Sequence, residues 1–500
     1  MNDLTRRGFV GGVLGTGAVL WASRQALAAA VPKDVYREIE RRHDESIARL
    51  QQWIRQPSIA AENIGMEEGC ALMIQLAKDA GFQRAERIGT TGQPGVYATL
   101  DAGARHTLGL YFMYDVKQVN EAEWTTPPWE GRVVEAEGFG KILRGRGAVN
   151  QKGPQAAFLA ALHAIRGAGQ KYPVNLILVA EGEEEIGSPS FPQIVLAPEP
   201  RAALSRSLGI FMPEASQELD GSVTVELGSK GDIELDVIVS AEKWGRGPAH
   251  DVHSSRAANV DAPAWHLVQG LNTLVDAKGD PAVDGFFDLV RPMTAAERDM
   301  VAAAAKRLDE TAAMRQAGVK RWARDADWHQ ALEDYFSRPT LTIEGLVGGY
   351  TGPGGKTIVP SRLTAKLDIR LVPDMTPEDT IAKVKAHLAK RGFGDLDVNV
   401  NGGVNYVSST PLESSLIQSQ LAVYRKTGID PLVVPRSGGS WPGSVFTDAP
   451  LKLAAGHFGL GYGQGAHAPD EFMLIDSTNP KLHSYDDLVR SFVDFLYAIA

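Results

Sequence analysis

One segment of the sequence reads Val174-Asn-Leu-Ile-Leu-Val-Ala-Glu-Gly-Glu-Glu-Glu-Ile-Gly-Ser188. Its first half is a short, almost wholly apolar run, which is typical of a strand that is covered on both faces. Acidic residues follow this run directly. Because functional groups gather at the carboxyl ends of strands in open α/β sheets, the segment predicts a buried strand with a site at its end.

Three further segments place polar residues in a similar way. Tyr111-Phe-Met-Tyr-Asp115 ends a second apolar strand that begins at Thr107. The other two segments are Gly145-Arg-Gly-Ala-Val-Asn150-Gln-Lys-Gly and Ala466-His467-Ala-Pro-Asp-Glu471. Helical spacing from Gly153 to Arg166 separates the two strands, and such alternation predicts an α/β domain with a mostly parallel sheet.

From about Gly228 the spacing of apolar residues along the sequence changes. Strands with period-two alternation and two helices follow in the order β-α-β-β-α-β, which is typical of a ferredoxin-like α+β unit. We therefore expect a lid domain at residues 228–401, inserted into a catalytic domain made of residues 31–227 and 402–500. Residues 281–337 add a charged, alanine-rich helical insertion to the lid. A chain of 500 residues is long enough for two domains.

The net charge and the cysteine content of the chain argue against several classes of function. The net charge of −10 and the absence of a basic run argue against nucleic-acid binding and membrane adhesion. The single cysteine, Cys70, excludes an internal disulfide and a cysteine-rich zinc site.

Residues 1–30 have the features of an export signal. Thr5-Arg6-Arg7-Gly8-Phe9 is a twin-arginine pattern, and Ala26-Leu27-Ala28 is a small-residue cleavage pattern. The apolar stretch between them is too short and too glycine-rich for a stable membrane span. We expect a periplasmic protein whose mature chain begins near Ala29 or Val31.

Glu184 and Glu185 are adjacent at a predicted strand end, so their side chains diverge. One carboxylate can face a metal ion while the other activates a water molecule, which is the division of roles in metal-assisted hydrolysis. A solvated acidic turn would also explain these residues.

The four segments together resemble the M20 metallopeptidases, and the similarity is strongest to the carnosinase-like dipeptidase branch. Gly348-Gly-Tyr-Thr-Gly-Pro-Gly-Gly-Lys-Thr-Ile-Val-Pro360 and Asp368-Ile-Arg370-Leu-Val-Pro are especially similar to that branch. The resemblance implies a zinc-binding α/β domain with a ferredoxin-like lid that forms a homodimer. It also implies a small-molecule substrate with an amide or peptide bond, such as a dipeptide or an N-acyl amino acid.

The resemblance also implies roles for individual residues. Glu184 resembles the general acid/base, Asp115 the carboxylate that orients a ligand, and His253 an oxyanion-stabilising histidine that often comes from the partner subunit. The substrate carboxylate would be held by Arg370 and Ser440. The residues that resemble metal ligands are Glu185, His467 and Glu214.

Two positions depart from the family pattern. Met113 stands where the family has a metal-binding histidine, and Asn150 stands where it has a bridging aspartate. A thioether is a poor zinc ligand, and a neutral amide oxygen bridges two ions poorly. Because Glu185 and Glu214 neutralise only one divalent ion, we expect one metal at most, or none, with Asn150 left to contact substrate or metal. His457 and His250 are the candidates for compensating ligands.

Three hypotheses follow. The first is hydrolysis of an amide bond by Glu184 with one metal or none. The second is metal-independent acid/base chemistry, such as elimination, isomerisation or cyclisation. The third is a non-catalytic protein that uses Arg370 and Ser440 to capture a ligand.

Overall fold

The computed structural model describes residues 30–500, so nearly all of the predicted export signal lies outside the described residues. Two large sheets dominate this part of the chain. In chain order, their strands are β1 (Arg84–Ile88), β2 (Gly95–Leu100), β3 (Thr107–Met113), β4 (Asn175–Glu181), β5 (Ile210–Pro213), β6 (Gly231–Ser240), β7 (Thr340–Gly348), β8 (Arg362–Leu371), β9 (Asp397–Asn405) and β10 (Ala455–Phe458).

The longer helices of the same part of the chain connect and cover these sheets. They are α1 (Lys33–Arg41), α2 (His43–Ile54), α3 (Met66–Ala80), α4 (Lys152–Gly167), α5 (Pro263–Asn272), α6 (Ala295–Arg307), α7 (Trp328–Ser337), α8 (Pro377–Lys390), α9 (Ser415–Lys426) and α10 (Tyr485–Ala498). None of the helices between residues 30 and 500 has the length and apolar character needed to span a bilayer.

The first sheet has the strand order β1-β2-β4-β3-β5-β10. Its last four strands are mutually parallel, while β2 pairs antiparallel with both β1 and β4. Apolar clusters cover both faces: α4 and α10 pack on one, and Phe191, Trp441 and Phe446 lie in the cluster on the other. The prediction of a mostly parallel α/β domain is therefore confirmed.

The second sheet is antiparallel, with the order β7-β8-β6-β9. With α5 and α8 it has the predicted β-α-β-β-α-β connectivity, and its core is separate from that of the first sheet. This sheet runs from Gly231 to Asn405, so its last strand passes the predicted limit at residue 401. The predicted division of the chain into residues 31–227, 228–401 and 402–500 stays a prediction.

The helical insertion connects the lid to the catalytic part of the chain. Val301 of α6 and Phe336 of α7 pack against the short strand Leu432–Val434. Beside this contact, the buried Arg436 pairs with Glu297 and donates a hydrogen bond to the Phe336 carbonyl at 2.7 Å. The insertion therefore restrains the lid from one side.

Replacing Arg436 tests this restraint. Arg436→Met leaves the Phe336 carbonyl without its buried donor and leaves Glu297 with Arg291, which is 33% exposed, as its remaining cation, so we expect the free energy of unfolding to fall by about 2 kcal/mol. Urea denaturation measures the change. Arg321→Met is the matched control in the same insertion, because Arg321 and its partner Asp325 are 75% and 73% exposed and their pair contributes less than about 1 kcal/mol. Equal losses in the two variants would contradict the proposed restraint.

Candidate active site

The ends of β3 and β4 begin the site. These strands are parallel neighbours, and Met113 lies opposite Glu181 in their register. The Tyr114 amide continues the ladder by donating to the Glu181 carbonyl at 2.9 Å. The residues that follow both strands are therefore brought together at one edge of the sheet, as the sequence predicts.

Asp115 fixes the turn that contains the two glutamates. Its carboxylate accepts hydrogen bonds from the Glu184 amide at 3.2 Å and from the Glu185 amide at 3.0 Å. The side chain is buried, and burial together with the nearby charge of Glu185 raises its pKa to about 8. In the described residues Asp115 thus contacts the backbone of the turn, and its predicted role in orienting a metal ligand stays a prediction.

Glu471 has the same role for the loop that contains Asn150. One of its oxygens accepts from the amides of Val149 and Asn150 at 2.9 and 2.8 Å, and the other accepts from the Gly147 amide at 3.0 Å. Arg146 also donates to Glu471 at 2.7 Å, and both side chains are almost fully buried. This carboxylate joins the Gly145–Gly153 segment to the segment that contains His467.

Glu185 lies at the centre of a dense polar cluster. Asn150 Nδ2 donates to Glu185 Oε1 at 2.7 Å and lies 3.0 Å from His467 Nε2. His467 Nε2 is also 3.2 Å from Glu185 Oε2, and Lys117 Nζ is 3.2 Å from the same oxygen. The structure thus brings together three of the predicted site residues and adds Lys117.

Glu184 differs from its neighbour. Within residues 30–500 no group donates a hydrogen bond to its carboxylate, although the side chain is only half-exposed. Burial raises the pKa of Glu184 well above its ordinary value, and the negative charges of Glu185, Asp115 and Glu181 raise it further.

Close packing holds the glutamate turn against the lid. The turn ends at Gly187, whose φ of 87° favours glycine. A Cβ added to Gly403 of β9 would lie 1.7 Å from the Gly187 carbonyl oxygen, so the two backbones approach too closely for any side chain. The lid sheet thus borders the site directly.

Two of the predicted residues lie apart from this cluster. The side chain of Met113 is buried among apolar residues, in the cluster that contains Trp441. Glu214 lies in a separate polar cavity of about 160 Å³, where its carboxylate is 3.9 Å from His457 Nδ1. His457 therefore lies beside Glu214 rather than beside Glu185, and His250 is exposed on the lid.

Arg370 and Ser440, the pair predicted to bind the substrate carboxylate, come together across the two parts of the chain. Arg370 of β8 donates to Ser440 Oγ at 3.1 Å, and Asp368 orients the guanidinium group through a bond of 3.0 Å to Nε. His253 contacts Ser255 and Thr357 on the exposed side of the lid. Within residues 30–500 of a single chain, none of the hydrogen bonds of His253 reaches the polar cluster around Glu185.

Comparison with known proteins agrees with this geometry. Residues 110–491 match the model of peptidase family M20/M25/M40. The Cys-Gly metallodipeptidase dug1 of Schizosaccharomyces pombe is 26% identical over 466 residues, which cover 89% of this chain and 94% of the relative. The Beta-Ala-His dipeptidase of Rattus norvegicus is 27% identical over 354 residues, which cover 69% of this chain and 68% of the relative.

Among solved structures, the M20 family metallo-carboxypeptidase Sso-CP2 from Sulfolobus solfataricus superposes with a TM-score of 0.81 at 29% identity. The match covers 91% of this chain and 99% of that structure. The chain belongs to the M20 family. Its relatives confirm the predicted similarity to the carnosinase-like dipeptidases and the prediction of an amidohydrolase or peptidase.

M20 enzymes typically use zinc or other divalent metals. The donor set of this chain does not fit a paired-metal centre, because Met113 is packed in an apolar cluster and Glu214 lies in another cavity. Asn150 points its amide nitrogen, a donor, at the Glu185 carboxylate. In the part of the chain that the structure describes, no three His, Cys, Asp or Glu side chains are arranged to hold a metal ion.

Two residues of this M20 site, Lys117 and Glu471, had no role assigned from the sequence. Lys117 follows Asp115 closely. A basic residue beside a motif that has lost a metal ligand indicates that a side chain supplies positive charge there, so the sequence could have identified Lys117. Glu471 lies in the Ala466–Glu471 segment, but its partners are backbone amides more than 300 positions earlier in the chain. Nothing in the local sequence indicates such partners.

Hydrogen exchange can distinguish the effect of the buried Asp115 carboxylate from that of the buried Glu471 carboxylate. Asp115→Asn removes one acceptor from the Glu184–Glu185 amides, so we expect exchange in a peptide covering residues 183–187 to speed up roughly tenfold or more. Glu471→Gln should do the same for residues 146–150. Each variant is the control for the other, and acceleration of both peptides in both variants would show general loosening instead.

Proposed function

We propose that this M20 enzyme hydrolyses an amide bond in a small, carboxylate-bearing substrate, with Glu184 as general acid/base. One observation carries the proposal: the Glu185 carboxylate contacts three side chains, whereas no residue from 30 to 500 pairs with the carboxylate of its neighbour Glu184. A general base needs a free carboxylate within reach of water. A dipeptide or an N-acyl amino acid is the substrate class, and the relatives' names refer to Cys-Gly and β-Ala-His.

The reaction uses Glu184 twice. The carboxylate takes a proton from water as the water oxygen bonds to the amide carbon, and it then gives that proton to the leaving nitrogen as the C–N bond breaks. The amide nitrogen leaves as an amine, and the carbonyl carbon becomes a carboxylate. Arg370, held by Asp368 and Ser440, would bind the terminal carboxylate of the substrate.

A homodimer would complete the site. Strand β7 is an edge of the lid sheet, and its Ile343, Leu346 and Val347 are about half-exposed. Apolar residues on an exposed edge favour association with a second copy. We propose that this association brings His253 of the partner subunit to the substrate oxyanion.

A second function is favoured by a specific observation. Glu181, Glu184 and Asp115 form a group of buried or half-buried carboxyls whose pKa values are all raised. Such groups suit proton transfer without hydrolysis, as in an elimination, isomerisation or cyclisation.

Replacing Glu184 tests the proposed function. We expect Glu184→Gln to lower kcat for a responsive dipeptide by about 100-fold or more, because general acid/base catalysis contributes 10²–10⁴-fold. The control is Glu183→Gln, since Glu183 lies against Gly92 and Ser190, on a different side of the turn. The assay uses Cys-Gly, β-Ala-His and N-acetyl amino acids in isotopically labelled water.

With ¹⁸O-labelled water, label in the product carboxylate identifies hydrolysis. Products without this label identify the second function: an isomerisation product has the mass of the substrate, whereas an elimination or a cyclisation also releases a leaving group. Full activity of Glu184→Gln would contradict both assignments of Glu184. The C-terminal amide of the best substrate should have a much higher KM than its free acid, because Arg370 would then lack its carboxylate partner.

We also propose export to the periplasm by the twin-arginine route. Arg6→Lys combined with Arg7→Lys should keep the protein in the cytoplasm with its leader intact. Arg24→Lys, in the same leader, is the control and should leave export unchanged. Cell fractionation and N-terminal sequencing near Ala29 measure the result, and periplasmic accumulation of the double variant would contradict the twin-arginine assignment.

A further inference from the structure

Lys117 contacts Glu185 twice. Its ammonium group is 3.2 Å from Glu185 Oε2, and it also donates a hydrogen bond to the Glu185 carbonyl oxygen. The Glu185 side chain is only 3% exposed, whereas Lys117 is 32% exposed and reaches it from the rim of the cleft. The lysine thus delivers a positive charge to a buried carboxylate.

The groups around Glu185 contact one another, and among the described residues no three His, Cys, Asp or Glu side chains are grouped to hold a metal ion. Oε1 accepts from the Asn150 amide, and Oε2 faces both Lys117 and His467. An ammonium group has no lone pair for a metal, and the separations of 2.7–3.2 Å are hydrogen-bond distances. A zinc ion would need the oxygen and nitrogen ligands at about 2.0–2.2 Å from itself, with the lysine displaced.

The charge balance gives the reason for such a lysine. A buried carboxylate without a counter-ion is costly, and in a metal site the ion supplies the opposite charge. Here Asn150 lacks the negative charge of the family's bridging aspartate, and Met113 replaces a neutral imidazole donor without changing the charge, so the site needs less positive charge than two divalent ions would bring. One ammonium group matches one carboxylate.

We infer that Lys117 is a built-in counter-ion that takes the place of a divalent metal at Glu185 and keeps this centre free of tightly bound metal. Lys117 is a positioning residue: it fixes Glu185 beside Glu184. Only the catalytic consequence rests on the proposed function, since metal binding can be measured without any substrate.

Metal binding is the first test. The full-length protein, purified and equilibrated with zinc and then with manganese, should retain far less than one ion per chain by elemental analysis. Lys117→Gln should bind zinc at least tenfold more tightly than the unmodified protein. The control Lys141→Gln removes an exposed pair with Asp476 and should leave zinc affinity unchanged. One tightly held metal per chain in the unmodified protein would overturn the inference.

A background that restores the family ligands gives a second test. Met113→His combined with Asn150→Asp should bind zinc, and adding Lys117→Gln should tighten that binding at least tenfold because a competing cation is removed. Equal affinity with and without Lys117 would overturn the inference. Lys117→Arg retains the charge and should remain metal-free, which keeps the test valid if Lys117→Gln folds poorly.

The effect of Lys117 on catalysis can be tested separately from its effect on metal binding. If the enzyme hydrolyses its substrate, a strong chelator should leave kcat unchanged, and Lys117→Gln should lower kcat at least tenfold with a smaller change in KM. Loss of activity with chelator would overturn the inference even if Glu184 is confirmed. Absence of hydrolysis with the expected metal results would instead refute only the proposed function.

Discussion

The site depends on two buried carboxylates that accept hydrogen bonds from backbone amides. Asp115 binds the turn after β4, and Glu471 binds the loop before α4. A buried carboxylate is costly unless its oxygens are satisfied, so these bonds determine the positions of both loops. Asp115 and Glu471 each join their own segment to one other segment. The contacts of Glu185 with Asn150 and His467 then bring the two pairs of segments together as one site.

The positions of these two loops explain why Glu185 needs a counter-ion. Once the two loops are fixed, Glu185 is buried between Asn150 and His467, and it requires an opposite charge. In this M20 chain the ammonium group of Lys117 is within ion-pair distance. In the same arrangement, the Glu184 carboxylate has no hydrogen-bond or ion-pair partner among the described residues. The difference between the two adjacent glutamates is therefore a consequence of which one points into the cluster.

The lid completes the site through contacts that cross between the two sheets. Gly187 and Gly403 meet at backbone distance, and Arg370 reaches Ser440 from β8. The insertion packs α6 and α7 on the strand Leu432–Val434, on the catalytic part of the chain. These contacts place the Arg370 guanidinium group at the boundary between the lid and the catalytic part, where we propose that it binds a substrate carboxylate.

Much of the fold and part of the candidate site could be predicted from the local sequence pattern. The strand predicted to begin at Thr107 is observed at Thr107–Met113, because an apolar run between turn residues specifies a buried strand. The grouping of Glu185, Asn150 and His467 was also predicted, since strand ends and family motifs indicate it. The separate cavity of Glu214 was not, because the motif gives its position in the chain but not the direction of its side chain.

By itself, the sequence determined the α/β fold, the family and the residues that could act, because periodicity and motif are local properties. Tertiary structure alone decided which of those residues are satisfied and which are free. Lys117 pairs with Glu185 across 68 positions, and Glu471 binds amides more than 300 positions away. Such pairings depend on how the loops pack and on the cost of burying charge, which no single segment of sequence contains.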